Sequence, residues 1–351
     1  MVTDSIIECK NVSKRFGRRQ VVNQVNFGLD QGQILSILGP SGSGKTTLLR
    51  LIAGFERISE GEIKILGQIV SEQGLFIPPE KRHLGMVFQE YALFPHLNVA
   101  RNVVFGLSGM SSQDRDTRLH EMLDLVKLPG FADRYPAELS GGQQQRIALA
   151  RTLATSPIGV LLDEPFSSVD ATMRTELRND VNQILRDSNI SAIFVTHDRE
   201  EAFAMADRIA VMIDGQIQQI DSPDNLYHSP VSRAVAGMAG SCDFITGIVN
   251  TGYVETELGK LSLNPLDSKH KDGTKVDVLI RLDDFQVAPD LKGKGTIVSR
   301  EFRGDEVVLL VKTDKGENLR CRRHHYSSLP EGTKVRLFTV RPNPFVVFPQ
   351  E

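Results

Sequence analysis

The run Gly39-Pro40-Ser41-Gly42-Ser43-Gly44-Lys45-Thr46 constrains this chain more than any other feature. It satisfies the pattern G-x-x-x-x-G-K-[ST], and its flanks fit the chemistry that pattern serves. The apolar stretch Gln33 to Leu38 reads as a buried strand leading in, and a helical stretch carrying Leu48, Leu49, Ile52 and Ala53 leads out. In that setting the glycines let backbone N–H groups turn inward around an anion. Lys45 adds a point charge for the β and γ phosphates, Thr46 offers a hydroxyl to Mg²⁺, and the positive end of the helix faces the phosphates. A glycine-rich turn that binds nothing is the plain alternative.

The rest of the chain supplies the fold around that loop. Residues 1 to about 240 alternate strand-like runs, among them Ile158 to Leu162 and Ala192 to Val195, with helical patterns. That alternation predicts an α/β domain on a largely parallel sheet. Between about 89 and 155 the pattern is helical, as in Arg118 to Val126 with Leu119, Met122, Leu123 and Val126 on one face, and predicts a helical subdomain inserted between strands.

Beyond Gly240 the helical period disappears, and residues 241–351 read as short strands between glycine turns. Gly273-Thr274-Lys275-Val276 opens a strand that reaches Arg281, and Gly332-Thr333-Lys334-Val335 opens another that reaches Arg341. Gly247-Ile248-Val249 and Gly295-Thr296-Ile297-Val298 precede them in the same order. The pattern predicts two copies of a small OB-like β-barrel, although Gly-Thr-Lys turns also recur by chance.

Val160-Leu161-Leu162-Asp163-Glu164 is an apolar strand that ends in two carboxylates. Such strand ends are commonly solvated rims. Beside a phosphate loop, however, Asp163 can hold the water shell of Mg²⁺ and Glu164 can act as general base on an attacking water.

Composition narrows the setting. A net charge of −3 gives no reason to expect nucleic acid as a partner. Cys9, Cys242 and Cys321 are widely spaced, against a disulfide framework or zinc site. Apolar runs such as Val160-Leu161-Leu162 are far too short to span a bilayer, and residues Met1 to Lys10 lack the order of a secretory signal. A soluble chain is expected, reaching any membrane through a partner.

Leu139-Ser140-Gly141-Gly142-Gln143 is followed by Gln144-Gln145-Arg146 and a helix through Ile147, Ala150 and Leu153 whose first turn holds no acid. An open, positive helix end suits an anion supplied from outside. This segment resembles the LSGGQ motif of ABC ATPases, and the order of motifs over residues 1–240 is similar to that family throughout.

The resemblance implies an ATPase that closes as a homodimer around two ATP with Mg²⁺. It implies nucleotide contacts from Gly39, Pro40, Ser41, Gly42, Ser43, Gly44, Lys45, Thr46 and Thr47, and metal contacts from Thr46, Gln89 and Asp163. Ser140, Gly141, Gly142 and Gln143 would meet the γ-phosphate held by the other subunit, and Ser168-Val169-Asp170 would lie at the dimer interface. Phe16 would stack on adenine; without the family it reads as a core aromatic. Gln89 would sense Mg²⁺ and the membrane partner; its plain reading is a polar cap on a strand. Glu164 would be the base and His197 would contact the γ-phosphate, although a lone histidine after a strand is usually structural.

Further segments narrow the resemblance. Phe94-Pro95-His96-Leu97-Asn98-Val99, Asp133-Arg134-Tyr135-Pro136 and the tandem barrels look like importer ATPases of the sugar, polyamine and ferric-iron groups. Gly240-Ser241-Cys242-Asp243-Phe244 and the chain length look most similar to the ferric-iron group. That implies separate transmembrane permease subunits, a periplasmic substrate-binding protein, and a peripheral position on the cytoplasmic face of the bacterial inner membrane. ABC ATPases that act on DNA or ribosomes interrupt the core with coiled coils or zinc modules, or carry two cores; neither pattern appears. The basic cluster Arg320, Arg322, Arg323, His324, His325 reads as a solvated strand face, with an anion or iron site as its alternative.

Overall fold

The computed structural model describes residues 5–350 apart from Ser168, 264–269, Ser327, Ser328 and Pro342. The chain divides into two compact units, Met1–Pro223 and Asp224–Glu351.

In the first unit, β1 (Ile7–Phe16) and β2 (Arg19–Leu29) form a hairpin, and β3 (Ile34–Leu38) leads to α1 (Lys45–Ala53). Then come β4 (Glu60–Ile65), β5 (Gln68–Glu72), β6 (Leu75–Phe76) and β7 (Leu84–Val87). Three helices follow before the next strand: α2 (Val99–Val103), α3 (Ser112–Leu125) and α4 (Gly141–Ala154). The unit closes with β8 (Gly159–Asp163), α5 (Ala171–Asp187), β9 (Ser191–Thr196), α6 (Arg199–Met205), β10 (Arg208–Ile213) and β11 (Gln216–Asp221).

Two sheets result. One is antiparallel, in the order β2-β1-β4-β5-β6; the other has the order β11-β10-β3-β9-β8-β7 and is parallel except for its β11 edge. β3, β8 and β9 are buried along their whole length, which is why they read as continuous apolar runs without alternation. Leu35, Ile37, Leu161, Ile193 and Val195 join Ile7, Val25 and Ile63 of the antiparallel sheet in one core.

Register places the functional ends together. Leu38 lies opposite Thr196, Asp163 opposite Val195, and Val87 opposite Leu162. The carboxyl ends of β3, β7, β8 and β9 therefore lie along a single edge, the edge at which open parallel sheets bind ligands.

The second unit begins inside α7 (Pro223–His228), at Asp224, and continues with α8 (Arg233–Ala239). These helices continue the helical pattern of the first unit in sequence, which placed the boundary at Gly240. They pack instead with the second unit because Arg281, only 3% exposed, donates to the carbonyls of Tyr227 (2.8 Å), Ala236 (2.9 Å) and Gly240 (2.9 Å).

The remaining elements are strands: β12 (Cys242–Asn250), β13 (Tyr253–Thr256), β14 (Gly259–Ser262), β15 (Lys275–Arg281), β16 (Phe285–Pro289), β17 (Gly295–Phe302), β18 (Glu306–Thr313), β19 (Asn318–His324), β20 (Lys334–Thr339) and β21 (Val347–Pro349). The two repeats share the hydrogen bonds of their Gly-Thr-Lys turns. Gly273 N–H donates to Val249 O and Gly332 N–H to Ile297 O, both at 2.8 Å; Val249 N–H and Ile297 N–H donate back to Thr274 O and Thr333 O. Gly273 and Gly332 hold φ of +86° and +82°, where a side chain would be strained.

The fifth strands are exchanged. The sheets run β14-β13-β12-β15-β21 and β16-β20-β17-β18-β19, so β16 completes the second copy and β21 the first. Phe345 N–H donates to Ser262 O across one seam and Arg322 N–H to Leu282 O across the other, both at 2.8 Å, so each sheet closes into a small barrel. A single core runs through both, from Ile245 and Val278 to Leu309 and Val335. On β19, Arg320 pairs with Asp243 at 2.7 Å and Arg322 with Glu306 at 2.7 Å, which neutralises part of the basic cluster.

Candidate functional site

The loop after β3 is shaped by contacts that admit only glycine. A Cβ on Gly39 would lie 2.1 Å from Met212 O. Gly44, at φ +100°, is the N-cap of α1, and its Cβ would lie 2.5 Å from Val21 O. With those positions fixed, the α1 N-terminus opens into the loop and its first turn holds no acid. Ser43 Oγ is buried without a hydrogen-bond partner, so the loop carries an unanswered polar atom at its base. Lys45, 5% exposed, folds its ammonium onto the loop, donating to Gly39 O (2.9 Å) and Pro40 O (3.0 Å). Burial pulls its pKa down against the pull of Glu164 and Asp163. A buried ammonium whose hydrogen bonds go to two loop carbonyls suits an anionic ligand. Pro40, Ser41 and Gly42 are exposed at the loop tip, and Thr46 and Thr47 follow Lys45 in α1.

Asp163 ends β8 beneath the loop. It is 5% exposed and accepts from Thr46 Oγ1 at 2.8 Å. Burial pushes its carboxyl up, against the pull of Thr46, Arg50 and Lys45. Glu164 follows with φ +44°, a left-handed conformation rare outside glycine, and its N–H is held by Val195 O at 3.1 Å. Its Oε2 lies 3.3 Å from Nδ1 of His197, the first residue beyond β9. The structure therefore brings Lys45, Thr46, Asp163, Glu164 and His197 together.

Gln89 lies two positions past the end of β7, exposed, on the same sheet edge. Phe16 is the last residue of β1. It is 47% exposed with the Lys14 ammonium 4.6 Å from its ring centre, and so is not a core aromatic.

Ser140 caps α4. Its hydroxyl accepts from Gln143 N–H at 3.4 Å, while Gln143 Oε1 accepts from Ser140 N–H at 3.0 Å. This reciprocal cap partly fills the helix end that reads as open in sequence. Gly141 is exposed and Gly142 buried. Asp170 is the exposed N-cap of α5, and Ser168 lies outside the described residues.

One contributor is not evident from motif reading. Glu201, 4% exposed, accepts from Thr196 Oγ1 at 2.5 Å, and Thr196 Oγ1 in turn accepts from Asp198 N–H at 2.9 Å. Both neighbours of His197 are thereby pinned. The signal was available as Asp198-Arg199-Glu200-Glu201, a helix-capping pattern directly after the histidine.

Among the described residues no group of three or more His, Cys, Asp or Glu could hold a metal on its own. A carboxylate and a hydroxyl are hard oxygen donors, and they suit Mg²⁺ when substrate phosphates complete the shell.

A model described as ABC transporter matches residues 22–167, and one described as TOBE domain matches residues 278–348. The Fe(3+) ions import ATP-binding protein FbpC 2 of Haemophilus influenzae is 41% identical over 313 residues, 87% of each chain. The spermidine/putrescine import ATP-binding protein PotA of Nitratidesulfovibrio vulgaris is 39% identical over 334 residues, covering 90% of this chain and 89% of that one. Among solved structures, a dimeric ATP-binding cassette in a post-hydrolysis state, bound to ADP and Pi, aligns with TM-score 0.53 and 31% identity. That alignment covers 62% of this chain and 98% of the other. Likeness of this extent, carried through both compact units, makes the chain a member of the ABC transporter family, in its importer-type ATP-binding branch.

Proposed function

We propose that this ATPase powers the import of ferric iron as a homodimer, with two ATP between its subunits, on the cytoplasmic face of the inner membrane. Separate permease subunits span the bilayer, and a periplasmic binding protein delivers the cargo. Among the described residues no helix is long and apolar enough to cross a membrane, so passage through the bilayer is assigned to partners. The observation that carries the ATPase reading is the shared sheet edge, where four parallel strands deliver the phosphate loop, Gln89, Asp163-Glu164 and His197; ferric iron as cargo is supported by the likeness to FbpC 2.

Within that site, loop N–H groups and Lys45 bind the β and γ phosphates, and Phe16 stacks on adenine. Thr46, Asp163 and Gln89 hold Mg²⁺, which when bound neutralises charge on the transferring phosphoryl group. Glu164, turned off the strand end by its left-handed backbone, takes the proton of the attacking water. His197, 3.3 Å away, positions that carboxylate and meets the γ-phosphate. Ser140, Gly141, Gly142 and Gln143 act on the ATP of the other subunit, and Asp170 lies at the interface between them.

Replacing Glu164 with Gln keeps its shape and removes its basicity. Turnover should fall about 10²–10⁴-fold with ATP binding preserved, because that is the range a positioned base contributes. Turnover within a few fold of wild type would overturn the assignment.

Polyamine import is the second reading, favoured by the likeness to PotA. Uptake of labelled ferric iron and of labelled spermidine, in cells lacking this chain and in cells with it restored, separates the two.

A further inference from the structure

We propose that Arg151 is a positioning residue: it holds the Gln89 loop in a strained left-handed turn and ties that loop to the helix that carries Ser140. The inference rests on the reading that Gln89 serves the nucleotide site.

Just past Gln89 the backbone bends at Tyr91 and Ala92, which hold φ of +60° and +47°. Two successive residues with side chains in the left-handed region are strained, and such strain persists only where the surroundings enforce it. Short local bonds are part of the enforcement: Tyr91 N–H donates to Phe88 O at 2.9 Å and Ala92 N–H to Glu90 O at 2.6 Å. The Tyr91 ring is buried, 4% exposed.

The outside hold comes from α4. Arg151 Nη1 donates to Ala92 O at 2.7 Å and Nη2 to Tyr91 O at 3.1 Å, so one planar fork grips both carbonyls of the turn. The guanidinium also sits 5.4 Å from the ring centre of Phe94, which packs on Phe105 at 4.3 Å. Arg151 lies in the last turn of α4, and Ser140 caps the first. A helix of 14 residues is a rod about 21 Å long, so the turn beside one γ-phosphate site is linked to the cap that serves the other.

The test uses the full chain. In Arg151→Ala without nucleotide, hydrogen exchange at the Tyr91 and Ala92 amides should quicken about tenfold, and kcat should fall by about the same factor with ATP affinity unchanged. Adding Ala92→Gly should restore kcat to within about threefold of wild type, because glycine adopts positive φ without strain. Arg151→Lys, which cannot form the fork, should fall between the two.

Unchanged exchange in Arg151→Ala, or no rescue by Ala92→Gly, overturns the proposal. Should the alanine variant fail to fold, the same two readouts on Arg151→Lys, with and without Ala92→Gly, decide the question. Gln89→Ala separates the premises: wild-type turnover there removes the role of Gln89, while the exchange measurement still judges Arg151.

Discussion

Replacing Arg82 with Met should loosen the nucleotide-binding unit from a point outside its motifs. Arg82 is 1% exposed and reaches Ile77 O (2.7 Å), Leu51 O (2.8 Å), Ile52 O (2.9 Å) and Val70 O (3.3 Å). It thus closes the carboxyl end of α1, the helix whose other end forms the phosphate loop. Two of the four acceptors keep a second donor: Leu51 O from Gly54 N–H at 3.3 Å, and Val70 O from Ile77 N–H at 2.9 Å. Ile52 O and Ile77 O depend on the guanidinium. A buried acceptor left unmade costs about 1–3 kcal/mol, and removing a desolvated charge returns part of that, so a net loss of about 3 kcal/mol follows.

For a unit of this size the loss corresponds to a melting temperature lower by about 6–12 °C. Scanning calorimetry on the full chain reads it, with the relevant transition identified as the one ATP shifts upward. A melting shift under about 2 °C would refute the reasoning, because Ile52 O and Ile77 O would then have found other donors.

Two further outcomes follow from buried groups. Burial raises the Glu201 carboxyl, with Thr196 pulling the other way, so its contribution to stability is lost as pH rises through that raised value; the melting difference of Glu201→Gln over wild type should be larger at neutral pH than at about pH 4, below the ordinary carboxylate range, and a smaller difference would contradict it. Ending the chain at Asn343 removes β21 with Phe345 and Phe348; the whole calorimetric transition of the second unit should vanish while the ATP-shifted one remains, and a surviving partial transition would show that the barrels fold independently.

How legible the site was depended on how locally its chemistry is written. The phosphate loop and the Asp163-Glu164 strand end could be read directly, because binding an anion on a helix end requires particular residues at fixed spacing. The left-handed backbone of Glu164 and the Arg151 fork could not, since both are answers to packing among segments far apart in sequence. The antiparallel sheet was hidden for a different reason. Its first strand pairs β2 with register shifts between Cys9, Val12 and Lys14, and these break the period-two alternation that marks a half-buried strand.

The carboxy-terminal repeat was visible as a repeat, but its exchanged strands were not, and Asp284 supplies the reason. Only Leu282, Asp283 and Asp284 separate β15 from β16, a spacing that would equally allow a local hairpin. Asp284, 7% exposed, instead accepts from Arg281 N–H at 2.7 Å and from Arg341 Nη1 at 3.0 Å, while its carbonyl accepts from Val340 N–H at 3.1 Å. The end of β15 is thereby locked to the segment just beyond β20, and β16 is delivered to β20 and not back onto β15. The two arginines that mark equivalent ends of the repeats have diverged: Arg281 spends its side chain on the carbonyls of Tyr227, Ala236 and Gly240, and Arg341 closes on Asp284. Because the outer partner of β15 among the described residues is β21, the first barrel cannot close before Val347–Pro349 are in place. Pairings this distant in sequence must be formed after the loop entropy between them has been lost, so slow, all-or-none folding of the second unit is the expected outcome, read as a single slow refolding phase after dilution from denaturant.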